Sequence, residues 1–244
     1  MSSTQMSNEG GTISINIGSR PVLAVSAQPL TQQIANHIRD LIIHDALKPG
    51  ERIREQPISE QLRVSRTPIR EALQILATEK LVDILPNRGA LVVNPGVEDI
   101  RAMLKVYSTL EALGGELACE NAGKAEVAEV EMQYQLLQAA FSASDRPAYF
   151  KANQAFHLGI VAGSGNQTLV EMHTHLNIRL YRTRYLAVMQ VKDWTSAAYQ
   201  HGDILKVFLD RDGARLRQLL QAHLGFAWRQ VDGLASVAAG AARS

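Results

Sequence analysis

Three histidines in the second half of the chain have the residue type and spacing of a transition-metal site. His157 follows Asn153 by four positions, so a helix carries both side chains on one face. His201 lies early in a later predicted helix, and His223 lies in a leucine-rich stretch where an imidazole needs a polar partner. Three imidazoles that converge from three helices suit Zn²⁺ or a similar ion. The alternative is three unrelated histidines that each form a separate hydrogen bond, and spacing alone leaves both interpretations open.

A second group of polar residues has the types that contact DNA. Nine consecutive residues include Arg63, Arg66 and Arg70 and contain no acidic side chain. Arg66 and Arg70 are four positions apart and therefore share a helical face, and an arginine can bind guanine O6 and N7 through two hydrogen bonds. Ser65 and Thr67 suit phosphate contacts or N-capping of a helix. The alternative is an ordinary solvated charged face.

The elements around these arginines predict a winged helix-turn-helix, in which the second helix of the motif reads the major groove. Apolar periodicity predicts one helix from Leu30 that ends before Pro49, and two more follow it. Arg88 and Gly89 lie in the turn of a predicted hairpin, where the arginine reaches DNA as a wing does. The predicted helices and strands of this region after the first helix are Pro57–Leu62, Thr67–Lys80, Val82–Leu85 and Ala90–Val93.

The remainder of the chain predicts an all-α helical bundle. Asn94, Pro95 and Gly96 form the boundary, and no convincing strand follows them. The predicted fold is therefore mainly α, with a winged helix-turn-helix ahead of the bundle. The predicted domains are a flexible arm (1–29), a winged helix-turn-helix DNA-binding domain (30–94), an all-helical domain (97–236) and a tail (237–244). The predicted helices of the bundle are 97–122, 126–144, 146–162, 166–191, 195–211 and 213–236.

Composition excludes several classes of protein. Twenty-five basic and 24 acidic residues give a net charge of +1, which excludes a strongly polycationic nucleic-acid coater. Cys119 is the only cysteine, so neither an intramolecular disulfide nor a thiolate zinc cluster is available. No apolar run reaches the roughly 18 residues that a membrane span needs, and no secretory signal is recognised. We therefore expect a cytoplasmic protein with no membrane partner.

Residues 30–93 resemble the winged-helix domain of the GntR family of bacterial transcription regulators. The resemblance depends most on the string Val64-Ser65-Arg66-Thr67-Pro68-Ile69-Arg70-Glu71-Ala72-Leu73, which follows Pro49-Gly50 and precedes Arg88-Gly89. It implies that Ser65, Arg66, Thr67 and Arg70 contact operator DNA, with Arg88 and Gly89 in the wing.

Residues 97–236 resemble the all-helical effector domain of FadR-type GntR regulators, the FCD domain. The matching text is Phe156-His157, Gly165-Asn166, Tyr199-Gln200-His201 and Ala222-His223. In metal-bearing members, an aspartate and three histidines hold a divalent transition metal. The histidine positions correspond to His157, His201 and His223, and the resemblance favours zinc. Asn153 stands where those members have the aspartate, and a neutral amide is a poorer ligand.

The same resemblance implies a small organic acid as effector. Tyr107 stands where many relatives have an arginine four residues before a glutamate, here Glu111. One long predicted helix carries five candidates to pair with an anionic ligand, of which Arg179 and Arg182 are favoured. They are Arg179, Tyr181, Arg182, Arg184 and Tyr185. The predicted function is a ligand-responsive repressor that binds a palindromic operator as a homodimer, and the resemblance implies that residues 97–236 are its effector-binding and dimerisation domain. The alternatives are a metal-dependent helical enzyme, for which no catalytic motif is found, and a metal- or acid-binding protein without operator specificity.

Overall fold

The computed structural model describes residues 28–86, 88–190 and 195–225, and these are mainly helical. The chain divides into two compact units, Met1–Asn94 and Pro95–Ser244. The predicted fold class, a winged helix-turn-helix followed by an all-α bundle, is confirmed. The predicted arm (1–29), apart from its last two residues, and the tail (237–244) lie outside the described residues. No described helix is long and apolar enough to cross a membrane.

The first unit combines three helices with a small antiparallel sheet. The sequence predicted a two-stranded hairpin, but a third strand pairs with it, so that the strand order is β1-β3-β2. In that added pair, Arg52 lies opposite Leu91 and Ile53 lies opposite Ala90. A strand of two residues is too short to show alternation in the sequence. The elements are α1 (Leu30–Ile43), β1 (Arg52–Ile53), α2 (Glu55–Leu62), α3 (Arg66–Thr78), β2 (Val82–Leu85) and β3 (Gly89–Val92).

The packing of α1 against α3 fixes the helix that carries the candidate DNA-contacting residues. Each helix buries an apolar stripe, and Arg39 on α1 adds a double contact to Glu79, with Nε–Oε2 at 3.0 Å and Nη2–Oε1 at 2.6 Å. The wing depends on Gly89, whose φ is +83°. A side chain there would place Cβ 2.1 Å from the Ile53 carbonyl oxygen, so only glycine lets β1 and β3 approach.

The second unit contains only helices among its described residues, as the sequence predicted. Residues 213–225 form the last described helix, α9, and the predicted extension to 236 lies outside the described residues. Helix ends differ from the prediction by only a few residues, which is the usual spread for capping and fraying. The preceding helices are α4 (Val97–Asn121), α5 (Lys124–Ser142), α6 (Arg146–Ala162), α7 (Gln167–Gln190) and α8 (Thr195–Leu209).

The core of this unit brings the histidine-bearing helices together. Phe156 and Ile160 of α6 share one buried cluster with Phe208 of α8 and Leu220 of α9. Gly115 on α4 allows α9 to lie close, because an added Cβ would meet Leu220 Cδ1 at 2.3 Å. The packing of α4, α6, α8 and α9 therefore sets the positions of the imidazoles described next.

Candidate functional site

Three buried imidazoles meet in the second unit. His157 on α6, His201 on α8 and His223 on α9 are each at most 7% exposed, and one ring nitrogen of each lies within 4.8 Å of the others. His157 Nε2 is 3.2 Å from His201 Nε2. The structure thus brings together the three histidines that the sequence selected, although their spacing along the chain gave no direct evidence of contact.

Asn153 contributes an oxygen at the same place. Its Oδ1 lies 2.6 Å from His201 Nε2, one helical turn before His157 on α6. Three imidazole nitrogens and one carbonyl oxygen form a donor set that a divalent first-row metal accepts. None of the four donors is an anion, so the charge of a bound cation would have to be balanced by other groups nearby.

His223 is held in the form that binds metal. Its Nδ1 lies 2.8 Å from Gln200 Oε1, so Nδ1–H donates to that amide oxygen and Nε2 keeps its lone pair. Burial is the main cause that lowers the pKa of His223 to about 3, and the charge of Arg184 lowers it further against the opposing field of Glu111. The ring is therefore neutral at physiological pH.

Glu111 on α4 lies behind the triad and orients it. Its Oε1 is 2.7 Å from His157 Nδ1, and its Oε2 is 3.1 Å from His173 Nε2. Burial by itself favours the protonated acid, but the charges and hydrogen bonds of the two imidazoles hold the pKa of Glu111 well below its usual range. The negative charge of Glu111, 2.7 Å from His157 Nδ1, favours a proton on that nitrogen, and the lone pair of Nε2 is then available to a metal.

A buried cation lies beside this cluster. Arg184 on α7 is 6% exposed, donates to the Tyr107 hydroxyl at 2.7 Å and also contacts Asn177 Oδ1. Its guanidinium carbon lies 4.9 Å from the centre of the Tyr107 ring. On that ring His173 stacks with 4.4 Å between centroids. The charge of Arg184 contributes to the low pKa of His223, so its field reaches that imidazole.

The sequence analysis offered several candidates on this helix and favoured Arg179 and Arg182, which are both half-buried. Arg184, another of those candidates, is the buried arginine of α7. It shares one polar stripe with His173 and Asn177, because the three residues follow helical spacing.

The first unit presents an exposed basic surface. Ser65 is the N-cap of α3, yet its side chain makes no capping hydrogen bond, and Ser65, Arg66, Thr67 and Arg70 are all exposed. A concave surface between α2, α3 and the wing is lined by arginines 52, 54, 66, 70 and 88 and by Glu55. Gly89 also lines it, although the residue itself is buried.

Two of these arginines were missed by the sequence analysis. Arg52 and Arg54 flank the buried Ile53, an alternation that hints at a strand but covers only three residues. Arg52 Nε donates to the Arg88 carbonyl oxygen at 2.9 Å, which ties β1 to the tip of the wing. Both become candidates for DNA contact because β1 adds to the edge of the hairpin.

Comparison with known families gives these two sites a context. Residues 30–92 match the profile of the bacterial regulatory proteins of the gntR family, and residues 102–226 match the FCD domain. The FCD match alone covers half of the chain. The chain belongs to the GntR family and carries an FCD domain. This GntR regulator is therefore a DNA-binding transcription regulator rather than an enzyme.

Similar proteins support that assignment. The transcriptional repressor RspR of Escherichia coli K12 is 25% identical to the regulator over 197 residues, which cover 81% of this chain and 86% of RspR. The regulator YdhC of Bacillus subtilis is 29% identical over 159 residues, covering 65% and 71% of the two chains.

Solved structures share the fold. Escherichia coli McbR/YncC aligns with a TM-score of 0.71 and 24% identity, over 83% of this chain and 99% of that one. A GntR regulator from Rhodococcus sp. RHA1 gives 0.70 and 24%, over 83% and 97%. GntR regulators bind operator DNA, and FCD domains bind small-molecule effectors and can hold a metal.

Proposed function

We propose that this GntR regulator is an effector-responsive repressor that binds a palindromic operator as a homodimer. One observation carries the DNA-binding part: the polar N-terminus of α3 is exposed beside the arginine of the wing. Repression follows from the similarity to RspR, which is named a repressor. A symmetric dimer presents two such surfaces, which match two half-sites of a palindrome. The regulator acts where its operator is, in the cytoplasm.

The proposed DNA contacts divide by chemistry. Arg66 and Arg70 contact base edges in the major groove, and arginine is the side chain that best fits guanine there. Ser65 and Thr67, beside the first turn of α3, contact phosphate together with the backbone N–H groups of the helix start. Arg88, next to Gly89 at the tip of the wing, contacts the DNA backbone or the groove that flanks the major-groove site.

Removing the Arg66 side chain tests this function. The Arg66→Ala variant should bind operator DNA about 5- to 100-fold more weakly, the loss expected for one bidentate base contact. Arg215→Ala, which removes an exposed arginine from the other unit, is the control and should leave affinity within experimental error. Fluorescence anisotropy on promoter DNA measures both. An unchanged affinity of folded Arg66→Ala would reject the assignment.

We infer that a divalent transition metal, with zinc the best fit, is held by His157, His201 and His223, and that Asn153 Oδ1 is the fourth donor. The support is the convergence of the donor atoms and the neutral state of His223. When bound, the ion supplies Lewis acidity and an open position for an anionic oxygen. Elemental analysis of the purified protein should find about one metal per chain, and almost none in His201→Ala. Equal content in both would contradict the site.

We propose a small organic acid as the effector, next to the triad. Among the arginines that the sequence offers on α7, we assign the anion-binding role to Arg184, because it is buried and its charge lowers the pKa of His223. Tyr107 and Glu111 complete the surroundings by orienting Arg184 and His157. A thermal-shift screen of organic acids should find one that raises the melting temperature of wild type and leaves Arg184→Gln unchanged. Equal shifts in both variants would exclude Arg184 from the effector site.

A further inference from the structure

One pair of side chains joins the two helices of the DNA-binding motif. Both carboxylate oxygens of Glu55, the first residue of α2, lie 2.9 Å from Nε of Arg70 on α3. The Glu55 side chain is 16% exposed and the Arg70 side chain is 63% exposed. The carboxylate therefore sits against the protein, while the guanidinium extends from it toward solvent.

The terminal nitrogens of Arg70 remain available. Among the described residues, its hydrogen bonds are those of Nε to Glu55, and none comes from Nη1 or Nη2. These two nitrogens carry four of the five guanidinium N–H groups. They form the edge of the side chain that can donate two parallel hydrogen bonds to O6 and N7 of guanine. The pair with Glu55 thus occupies one donor and leaves the recognition edge free.

Arg66 provides an internal comparison. It is exposed on the same concave surface, and the described residues offer it no hydrogen bond or ion pair. An untethered arginine loses its freedom of movement only when it meets the DNA, whereas one held at Nε has lost most of that freedom before DNA arrives. Arg70 is the arginine whose position the protein fixes.

The negative charge of Glu55 also favours specific over non-specific DNA binding. It cancels one positive charge on a surface that meets phosphate, so it weakens binding to any DNA irrespective of sequence. A base contact made by the held Arg70 restores affinity only where the right base is present. The ratio of specific to non-specific affinity rises as a result, and that ratio determines whether an operator is found among random sites.

We propose that Glu55 is a positioning and specificity-determining residue, which holds Arg70 so that its terminal nitrogens read a guanine of the operator half-site. The proposal rests on the proposed function, because it requires sequence-specific DNA binding. It goes further by assigning a role in base selection to an acidic residue that itself contacts no base.

The test is selection of DNA from a random pool, followed by binding measurements. Wild type, Glu55→Gln and Arg70→Lys each select a consensus, and anisotropy then compares the wild-type consensus with random DNA of equal length. We expect both variants to lose preference at the same base pair of each half-site. Glu55→Gln should bind random DNA more tightly and the consensus no better, so that its specificity ratio falls roughly tenfold. Its salt dependence should steepen by about one released ion.

Glu60→Gln is the matched control. Glu60 also lies on α2 and faces the same concave surface, but its carboxylate contacts Gln56 instead of an arginine. We expect it to raise affinity for consensus and random DNA by the same factor and to keep every base preference.

Three results would overturn the proposal. The first is a Glu55→Gln consensus identical to that of wild type. The second is an equal loss of affinity for both DNAs with the consensus retained, which indicates a purely structural role. The third is a wild type that selects no consensus, and this result alone also rejects the proposed function.

Discussion

The proposed DNA-binding surface between α2, α3 and the wing exposes its charged side chains, whereas the histidine cluster buries them. On the first unit, the arginines are exposed, and Glu55 contacts Arg70 only at Nε, so the terminal nitrogens of Arg70 stay free. In the second unit, Glu111, His157 and Arg184 are buried, and polar partners hold each of them. The difference suits the ligands that we propose: a phosphate backbone is bound by exposed charges in water, whereas a metal or a small acid is bound by buried groups whose positions are fixed beforehand.

The largest effect should come from the buried carboxylate. Glu111→Ala leaves His157 and His173 without their acceptor, and breaking a buried pair in this way costs about 3–5 kcal/mol of the free energy of unfolding. Glu116→Ala breaks the exposed pair with Arg217, whose atoms are 2.6 Å apart, and should cost at most about 1 kcal/mol. Urea denaturation of the two variants measures the contrast, and equal costs would remove the distinction between the two regions.

Loss of one imidazole should be the next largest effect. His201→Ala should lower zinc affinity by about 100-fold or more. Loss of a residue that only orients a metal ligand already lowers metal affinity by about 10- to 100-fold, and loss of the ligand itself should cost at least as much. Competition with a chelator of known affinity gives the number. His175→Ala removes an exposed histidine of α7 and serves as the control. A similar affinity in both variants would mean that the triad is not the metal site.

A smaller change of opposite sign should follow from Asn153→Asp. The substitution places an anionic oxygen where the neutral Oδ1 now lies 2.6 Å from His201 Nε2. Zinc affinity should rise by roughly tenfold, since carboxylate is a stronger ligand for a divalent ion than an amide. Asn153→Ala should lower the affinity instead. Chelator competition that shows no difference among the three proteins would exclude residue 153 from the ligand set.

The smallest effect belongs to the exposed surface. Ser65→Ala should weaken binding to operator and random DNA by the same factor, because a phosphate contact carries no sequence information. It should change the free energy of unfolding by less than about 0.5 kcal/mol, since the hydroxyl does not cap α3. Ser59→Ala, which removes a 2.6 Å hydrogen bond to the Val64 carbonyl oxygen, should destabilise the motif more. Melting curves in the reverse order would show that Ser65 is structural.

The two regions also differ in how far the sequence predicted them. The fold of the first unit could be predicted because the turn and the recognition helix lie in consecutive residues, so the motif determines its own local geometry. The sequence analysis missed Arg52 and Arg54 as candidate DNA contacts. Their positions depend on the two-residue strand β1, which forms by pairing with the open edge of β3. Local periodicity cannot reveal an element of that length.

In the second unit, the sequence predicted the helices well but did not predict which of their side chains are buried together at the site. Helical spacing says which residues share a face but not how one helix is rotated against another. Residue types and the resemblance together pointed to His157, His201 and His223, whereas the contacts of Arg184 and His173 depend on the packing of α7 against α4. The sequence offered Arg179, Arg182 and Arg184 on one helix, and only the packing of that helix shows that Arg184 is the buried one.

Hydroxyl-radical footprinting of the regulator on its own promoter tests the central claim most directly. Two symmetric protected patches, with centres about one helical turn of DNA or a multiple of it apart, are the pattern that a dimer with two α3 helices in successive major grooves produces. Arg66→Ala should erase both patches at the same protein concentration. A single patch, protection without symmetry, or a footprint that Arg66→Ala leaves intact would contradict the account.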